Sequence, residues 1–412
     1  MAYKTFVNGF PLNASELNNY LMSQSVATFA DATARSTAID SPHEGQLTYL
    51  ESDATYYKYD GADWVALIPE TFPAGGDAGQ ALIKASATDY DADWAQVSQA
   101  ISPNYIINGA FDIWQRGTSF VTLTDDTFTA DRWNTDVSGG AGTLSEEIKQ
   151  VAFSVNDLEA LGYGEGQYFL RWETTDSGDR SRRDLRQKIE DVRTLAGQTV
   201  TLSYYAKADS AVTITTRVRQ EFNSSTGFSY STTQELSTSW QRYTQTVTLG
   251  DLSGKTLGAT NWLAVVFDIP SGASVIDIWG VQLEAGSVAT PFRRNANSLQ
   301  GELAACQRYY YTLLSGSNLS LGFGAYYTTT NLGVHVSFPV TMRTTPSLDA
   351  TSGSAYYSVA GGGTWDSFTI SRPTTTNTQL LSSTVSVAET AGETFRVISN
   401  NGSAKLSFSA EL

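Results

Sequence analysis
The sequence predicts a mainly β chain of several domains, and three observations lead there. Stretches such as Thr199–Ala206 (TVTLSYYA), Val212–Arg219, Gln241–Leu249, Leu263–Ile269 and Ile276–Leu283 alternate apolar and polar residues between turn signals, the pattern of half-buried strands. Only 17% of residues are charged, while 41% are hydrophobic and 12% aromatic, so real cores are available beneath a surface rich in Ser, Thr and Gly. Two distinctive segments, Asn104–Gly117 (NYIINGAFDIWQRG) and Ile276–Phe292 (IDIWGVQLEAGSVATPF), bracket the alternating region. The full expectation is a short N-terminal helix with a small β-domain (1–67), a connector (68–103), a jelly-roll β-sandwich (104–295), a neck helix (296–314) and a C-terminal β-sandwich knob (315–412). A chain of 412 residues is too long for one ordinary domain.

The elements follow in chain order. Asn13-Ala-Ser-Glu16 can form a capping box, and Leu17, Tyr20, Leu21, Val26, Phe29 and Ala30 carry an interrupted helical stripe to about Arg35. Gly45–Leu67 then alternates as strands, with Asp60-Gly61 as a hairpin turn. Pro73–Gly79 (PAGGDAG) is turn-rich, and Asp91–Trp94 echoes the Asp60–Trp64 word, which suggests two related hairpins. In the sandwich, Asn104–Gly117 reads as an opening strand turning at Asn108-Gly109, Asp191–Gly197 as one helical turn, and Ile276–Leu283 as a closing strand crossing Gly280. Leu299, Leu303, Cys306 and Tyr310 lie 0, 4, 7 and 11 residues along, a heptad-like stripe suited to a trimer neck. Strands are expected beyond it at Leu319–Tyr327, Leu332–Pro339, Ser367–Ile370, Val385–Val387, Thr394–Ser399 and Ala404–Leu412.

Composition excludes several function classes. With 42 acidic and 26 basic side chains the formal charge is −16, which disfavours nucleic-acid phosphates and anionic membranes. A trimer would carry three times that charge, so salt or divalent cations should assist adsorption to an anionic cell surface. No run of residues suggests membrane insertion, and Met1–Asn19 lacks an apolar signal core. The lone Cys306 permits no intrachain disulfide and reads as a small buried hydrophobe.

Catalytic constellations are not visible. His43 and His335 stand apart in unlike contexts, and nothing suggests a nucleophile–base pair. Asp125-Asp126, Glu146-Glu147 and Glu190-Asp191 have the residue types of a glycosidase pair, but adjacent acids are expected by chance in so acidic a chain. The expectation is a non-enzyme without cofactor. Arg180, Arg182, Arg183 and Arg186, interleaved with Asp179 and Asp184, read as a solvated ion-pair face. Aromatic rings offer binding chemistry, because sugar C–H faces stack on them while hydroxyls pair with polar neighbours. Tyr326, Tyr327, Tyr356, Tyr357 and Trp365 are the ligand candidates, the last three flanking the Gly361–Gly363 loop; their alternative role is to fill a trimer interface.

The two bracketing segments resemble the carbohydrate-binding-module-like domain of bacteriophage tail fibres and minor tail proteins. Gly79–Ser86 (GQALIKAS) is similar to fibre connectors, and Ala130-Asp-Arg-Trp133 to a recurrent word of the module, in which Trp133 should be core with Asp131 and Arg132 pairing. The resemblance does not extend to Ser315–Leu412. It implies a virion tail protein whose N-terminal region docks on tail or baseplate, whose trimer binds host surface glycan by avidity, and which forms in the host cytoplasm. In that family an acidic residue after Asn-Gly-x-Phe and an Asp pair in the last strand often hold calcium. Asp112 matches the first position, but Trp279-Gly280 replace the pair, with Asp277 nearby, so half the ligand set is missing. A glycan depolymerase and a purely structural adaptor fibre are the rival readings.

Overall fold
A computed structural model describes residues 26–67, 80–84, 92–96, 103–139, 145–161, 166–176, 178–360 and 362–412, with Pro11, Asn13 and Ala14. The chain divides into two compact units, Met1–Val97 and Ser98–Leu412. The chain is mainly β throughout both. Among the described residues no helix is long and apolar enough to cross a membrane.

In the first unit, β1 (Ala27–Phe29), β2 (Leu47–Leu50), β3 (Thr55–Tyr59) and β4 (Trp64–Ala66) form a sheet in that order, with β1 parallel to β2 and the rest antiparallel. Helix α1 (Ala32–Ala38) starts at Asp31, whose carboxylate accepts from the Ala34 amide at 2.8 Å. The expected helical stripe therefore does not run unbroken to Arg35: Phe29 lies in β1 opposite Leu50. Residues 15–25, including Glu16, Leu17, Tyr20 and Leu21, lie outside the described residues. Arg35 is buried, its guanidinium 4.5 Å from the Trp64 ring and 4.9 Å from Tyr57. The Asp60-Gly61 hairpin is present, with Asp60 Oδ1 accepting from the amides of Ala62 and Asp63 and Gly61 at φ +106°. β5 (Gln80–Lys84) and β6 (Ala92–Gln96) pair antiparallel with Leu82 opposite Trp94, so each Asp-Trp word ends with its Trp on the second strand of a hairpin.

The second unit opens with a two-sheet sandwich. β7 (Ser119–Phe120), β8 (Asn134–Ser138), β9 (Ser145–Ala152), β10 (Tyr168–Asp176), β11 (Arg182–Ile189), β12 (Thr199–Ala208), β13 (Val212–Asn223), β14 (Phe228–Leu236), β15 (Gln241–Thr248), β16 (Leu257–Asp268) and β17 (Ser274–Ala285) supply it. One sheet has the order β15-β12-β17-β10-β9-β7, the other β14-β13-β16-β11-β8, and every pairing is antiparallel. From β10 to β13 the chain crosses between sheets at each connection, which interleaves the apolar sides of both around Trp133, Trp172, Leu202, Tyr204, Val265, Phe267 and Ile278. Helix α2 (Val155–Ala160) has a capping box between Ser154 and Asp157. It accompanies a second aromatic cluster on the outer side of the larger sheet: Phe153, Phe169, Trp240, Trp279 and Phe292.

The bracketing segments meet. Asn104–Gly117 is irregular, not the opening strand expected, yet it lies along β17: the Tyr105 amide donates to Leu283 O at 2.9 Å and the Val281 amide to Gly109 O at 2.9 Å. Buried Asn104 donates to Val281 O and Arg293 O and accepts from the amides of Ile106 and Leu283. Gly109 is required here, since a Cβ would sit 2.1 Å from Val281 O. Gly280 bulges β17 at φ +64°. The Asp191–Gly197 piece is a run of tight turns, not a helix, with Leu195 at φ +62°.

Helix α3 (Leu299–Gln307) follows, then β18 (Tyr310–Ser315), β19 (Ser320–Tyr326), β20 (Leu332–Ser337), β21 (Ser347–Ala350), β22 (Tyr357–Val359), β23 (Thr364–Trp365), β24 (Phe368–Ser371), β25 (Asn377–Ser382), β26 (Thr394–Ser399) and β27 (Lys405–Ser409). A three-stranded sheet, β18-β27-β21, and a seven-stranded one, β23-β22-β26-β19-β20-β25-β24, enclose a core that includes Tyr357, Trp365, Leu406 and Phe408. Val385 belongs to that core without forming a strand.

The helix expected over 296–314 is shorter than those bounds. α3 stops at Gln307, because the Tyr309–Thr312 run of β-favouring residues turns into a strand, and Tyr310 pairs with Ser409. The helix buries Glu302 and Cys306, while Leu299 and Leu303 stay 40% and 37% exposed. Glu302 is drawn inward because its carboxylate accepts from the Asn108 and Ala296 amides. Leu299, Leu303 and Cys306 keep one side of the helix, with Cys306 at its buried edge, and Tyr310 leaves the stripe for β18. Sandwich and C-terminal sheets are joined directly: Gln115 bonds Tyr310 O and the Thr312 amide, and Arg116 lies 3.0 Å from Glu411 and stacks on Tyr310.

Candidate functional site
The outer side of the five-stranded sheet is a lattice of paired charges with one aromatic ring in it. Alternation along β11 turns Arg182, Asp184, Arg186 and Lys188 outward. β13 adds Arg217, Arg219 and Glu221, and β16 adds Trp262 and Asp268. Arg217 pairs with Asp184 and Asp268, and Arg219 with Glu221 at 2.8 Å. Trp262, opposite Glu221, is half-buried, with the Arg219 guanidinium at 5.3 Å and the Lys188 ammonium at 5.8 Å from its ring.

Past the Ile189–Leu263 pair, where β11 ends, the sheet opens into a groove of about 630 Å³. Glu190, Asp191, Arg193, Thr194, Gly258, Asn261 and Arg343 line it. Turn chemistry fixes its wall: the Thr194 hydroxyl donates to Glu190 O, the Asn261 side chain accepts from the Val192 amide at 3.0 Å and donates to Gly258 O at 2.8 Å. Glu190 is gripped by Arg308 at 3.1 Å and Arg343 at 3.6 Å, so the groove is built where the sandwich meets the C-terminal sheets. Arg343 is itself anchored by donating to Ala410 O and Glu411 O. A partly exposed indole on this face, and a nearby cleft of carboxylate, amide and hydroxyl groups, have the chemistry to stack a sugar ring and bond its hydroxyls.

The sequence candidates fare differently. Tyr326, Tyr357 and Trp365 are no surface loop residues: each is at most 1% exposed. Tyr357 stacks on Trp365 and meets Phe368 edge-on, and its hydroxyl donates to Thr351 O; Tyr326 meets Phe395. Burial in this chain's own core also removes these three from any trimer interface. Tyr327 is 51% exposed and Tyr356 half-buried, so these two alone of the five reach solvent. Trp262 and the groove were not foreseen.

Charged clusters are mostly structural. Arg180, Arg183 and Arg186 form no solvated face: Arg183 is 1% exposed and pairs with Glu146 at 2.5 Å, Arg180 pairs with the same carboxylate at 3.1 Å, and Arg186 holds Asp136 and Asp126. Only the Arg182 side chain is substantially exposed, at 45%. Glu147 is bridged by Lys149, and Asp191 by Arg193. Asp131 and Arg132 do not pair with each other. Burial pushes the Asp131 carboxyl up to about 6 even though it accepts from the Gln115 amide at 2.9 Å, and Arg132 reaches across to Glu411. Trp133 is core, its indole N–H donating to Asn108 O. The calcium positions implied by resemblance do not fit a metal. Asp112 is buried against the Arg294 guanidinium and Asp277 is held by Arg171 at 2.7 and 2.9 Å, so cationic side chains already neutralise both, and Trp279-Gly280 add no oxygen ligand. His43 and His335 are both exposed.

No family model and no curated protein matches this sequence. Solved structures do. The enzymatically active domain of tailspike protein 4 from bacteriophage CBA120 is 14% identical over 44% of this chain, with a TM-score of 0.31, and the match spans 21% of that chain. A CBM4 carbohydrate-binding module is 22% identical, covering 43% of this chain and 98% of its own, with a TM-score of 0.29. The family 11 carbohydrate-binding module of a cellulosomal cellulase of Clostridium thermocellum is 12% identical, over 42% and 98%, with a TM-score of 0.27. The two-sheet sandwich itself follows from the strand order.

Proposed function
We propose that this chain is a bacteriophage tail fibre or receptor-binding protein that attaches the virion to host surface glycan by non-catalytic, multivalent binding. The observation that carries the glycan-binding reading is the partly exposed Trp262 indole on the outer side of the sandwich, next in sequence to Asn261 in the wall of the polar groove. One further feature supports its non-catalytic side. Each adjacent carboxylate pair is engaged by arginine or lysine, which suits structure better than acid–base work. The phage reading rests on the sequence words and their order along the chain: N-terminal region, connector, module, then a C-terminal β domain. In this reading the first unit docks on the tail or baseplate and three copies act together. Nucleic acid and membrane insertion play no part.

The test is Trp262→Ala. The ring lies on the outer face, away from the core between the sheets, so the variant should keep its melting temperature within about 5 °C while its affinity for host polysaccharide falls about tenfold or more. Unchanged binding by Trp262→Ala would remove the groove from the account. Failure of the wild-type trimer to bind any host cell would favour a structural adaptor.

A further inference from the structure
The open side of the seven-stranded sheet carries an aromatic ring that the groove reading does not use. Phe323 on β19 is 76% exposed, and among the described residues no ring or cation stacks on it. It stands opposite Arg396 on β26 and, one step beyond the Gly324–Val334 pair, opposite His335 on β20. His335 in turn pairs with Gln379 on β25. Arg396, Phe323, His335 and Gln379 therefore form one cross-strand row, with neighbouring side chains about 5 Å apart at Cβ. Their inward neighbours Val397, Val334, Val336 and Leu380 are buried, which fixes the row on the outer side.

The floor beside the ring is shallow. Ala325 and Gly333 occupy the next row, and Gly322 sits at a bulge with φ +123° and open space where a Cβ would stand. Alternation carries Phe323 and Ala325 on to exposed Tyr327, about 13 Å along the strand. Charge then selects the ligand. Among the described residues no carboxylate pairs with Arg396, although acids outnumber bases and most arginines here are ion-paired. A guanidinium fork without a counter-ion, next to an exposed ring, matches a carboxylate on a flat apolar scaffold.

We propose that this face is a second binding site, for an acidic saccharide: the sugar's C–H face lies on Phe323, its carboxylate on Arg396, and its hydroxyls reach Gln379 and His335. A second copy of this chain fits less well. Apart from Phe323 the row is polar, far from the roughly 1,000 Å² of complementary surface a stable interface needs. The site does not depend on the Trp262 groove, and the test separates them.

The full chain is titrated with oligogalacturonate, hyaluronan oligomers and oligosialic acid, and with carboxyl-reduced counterparts as neutral controls. Saturable binding of at least one acidic probe is expected, about tenfold tighter than its neutral control. Arg396→Gln should abolish that preference, Phe323→Ala should weaken both ligands about tenfold, and Trp262→Ala should change neither. Both substituted side chains are exposed, so melting temperatures should hold and folding does not confound the result. Three results would each overturn the proposal: no saturable binding of any acidic probe, loss of binding in Trp262→Ala alone, or Phe323-dependent self-association without saccharide binding.

Discussion
Asn104 ties the opening segment to the closing strand, and its removal has a cost that can be worked from the structure. The side chain is fully buried and makes four hydrogen bonds of 2.9–3.1 Å, two donated and two accepted. Asn104→Ala leaves the carbonyls of Val281 and Arg293 and the amides of Ile106 and Leu283 without that partner. At about 1 kcal/mol net per bond, rising where a group is left dry, the loss is about 3–5 kcal/mol. A transition of this size shifts by about 2–4 °C per kcal/mol, so the melting temperature should fall by roughly 10 °C. Calorimetry reads the shift. Amide exchange locates it, because the Leu283 and Ile106 amides should lose protection while strands of the C-terminal sheets keep theirs. A shift below about 2 °C, or exchange unchanged at Leu283, would refute the view that these segments are locked together through Asn104.

Three further outcomes follow from burial and charge. Arg183→Leu leaves the buried Glu146 carboxylate with Arg180 as its remaining partner and should destabilise by about 3 kcal/mol, while Glu146→Leu takes the partner from both arginines and should cost more; denaturant titration ranks the two. Burial raises the Asp131 carboxyl to about 6, above its unfolded value of about 3.9, so its contribution to stability is full below about pH 4 and lost as pH rises through 6. Asp131→Asn should accordingly flatten the fall in melting temperature across that window relative to wild type. Trp365→Ala opens a hole in the C-terminal core and should cost about 3–5 kcal/mol, with lost folding rather than selectively lost ligand affinity.

What was legible in the sequence is what a single periodicity encodes. β12, β13, β15, β16 and β17 appear where alternation places them, because one side of each is buried and a slip of one residue would invert it. Asp60-Gly61 was readable because its backbone demand is local. The β11 ladder held a signal that charge content masked: Arg182, Asp184, Arg186 and Lys188 alternate with Leu185, Gln187 and Ile189, the mark of a strand and not of a loose charged face. Trp262 carried a similar signal, one residue before Leu263 and of opposite parity, hence outward. The C-terminal rings were misplaced because adjacent aromatics such as Tyr326-Tyr327 and Tyr356-Tyr357 must point to opposite sides, and sequence does not say which side is core. The heptad-like stripe ended early for a different reason. Spacing alone carried the stripe on to Tyr310, but the β-favouring Tyr309–Thr312 run ends the helix at Gln307 and puts Tyr310 in a strand.

The most direct test of the central claim is to incubate the purified chain with host surface polysaccharide, measuring retained protein and released reducing ends together. Attachment without catalysis expects saturable retention, lost in Trp262→Ala, with no reducing ends above background. Release of reducing sugar that grows with time and protein concentration would contradict it and make the chain a depolymerase.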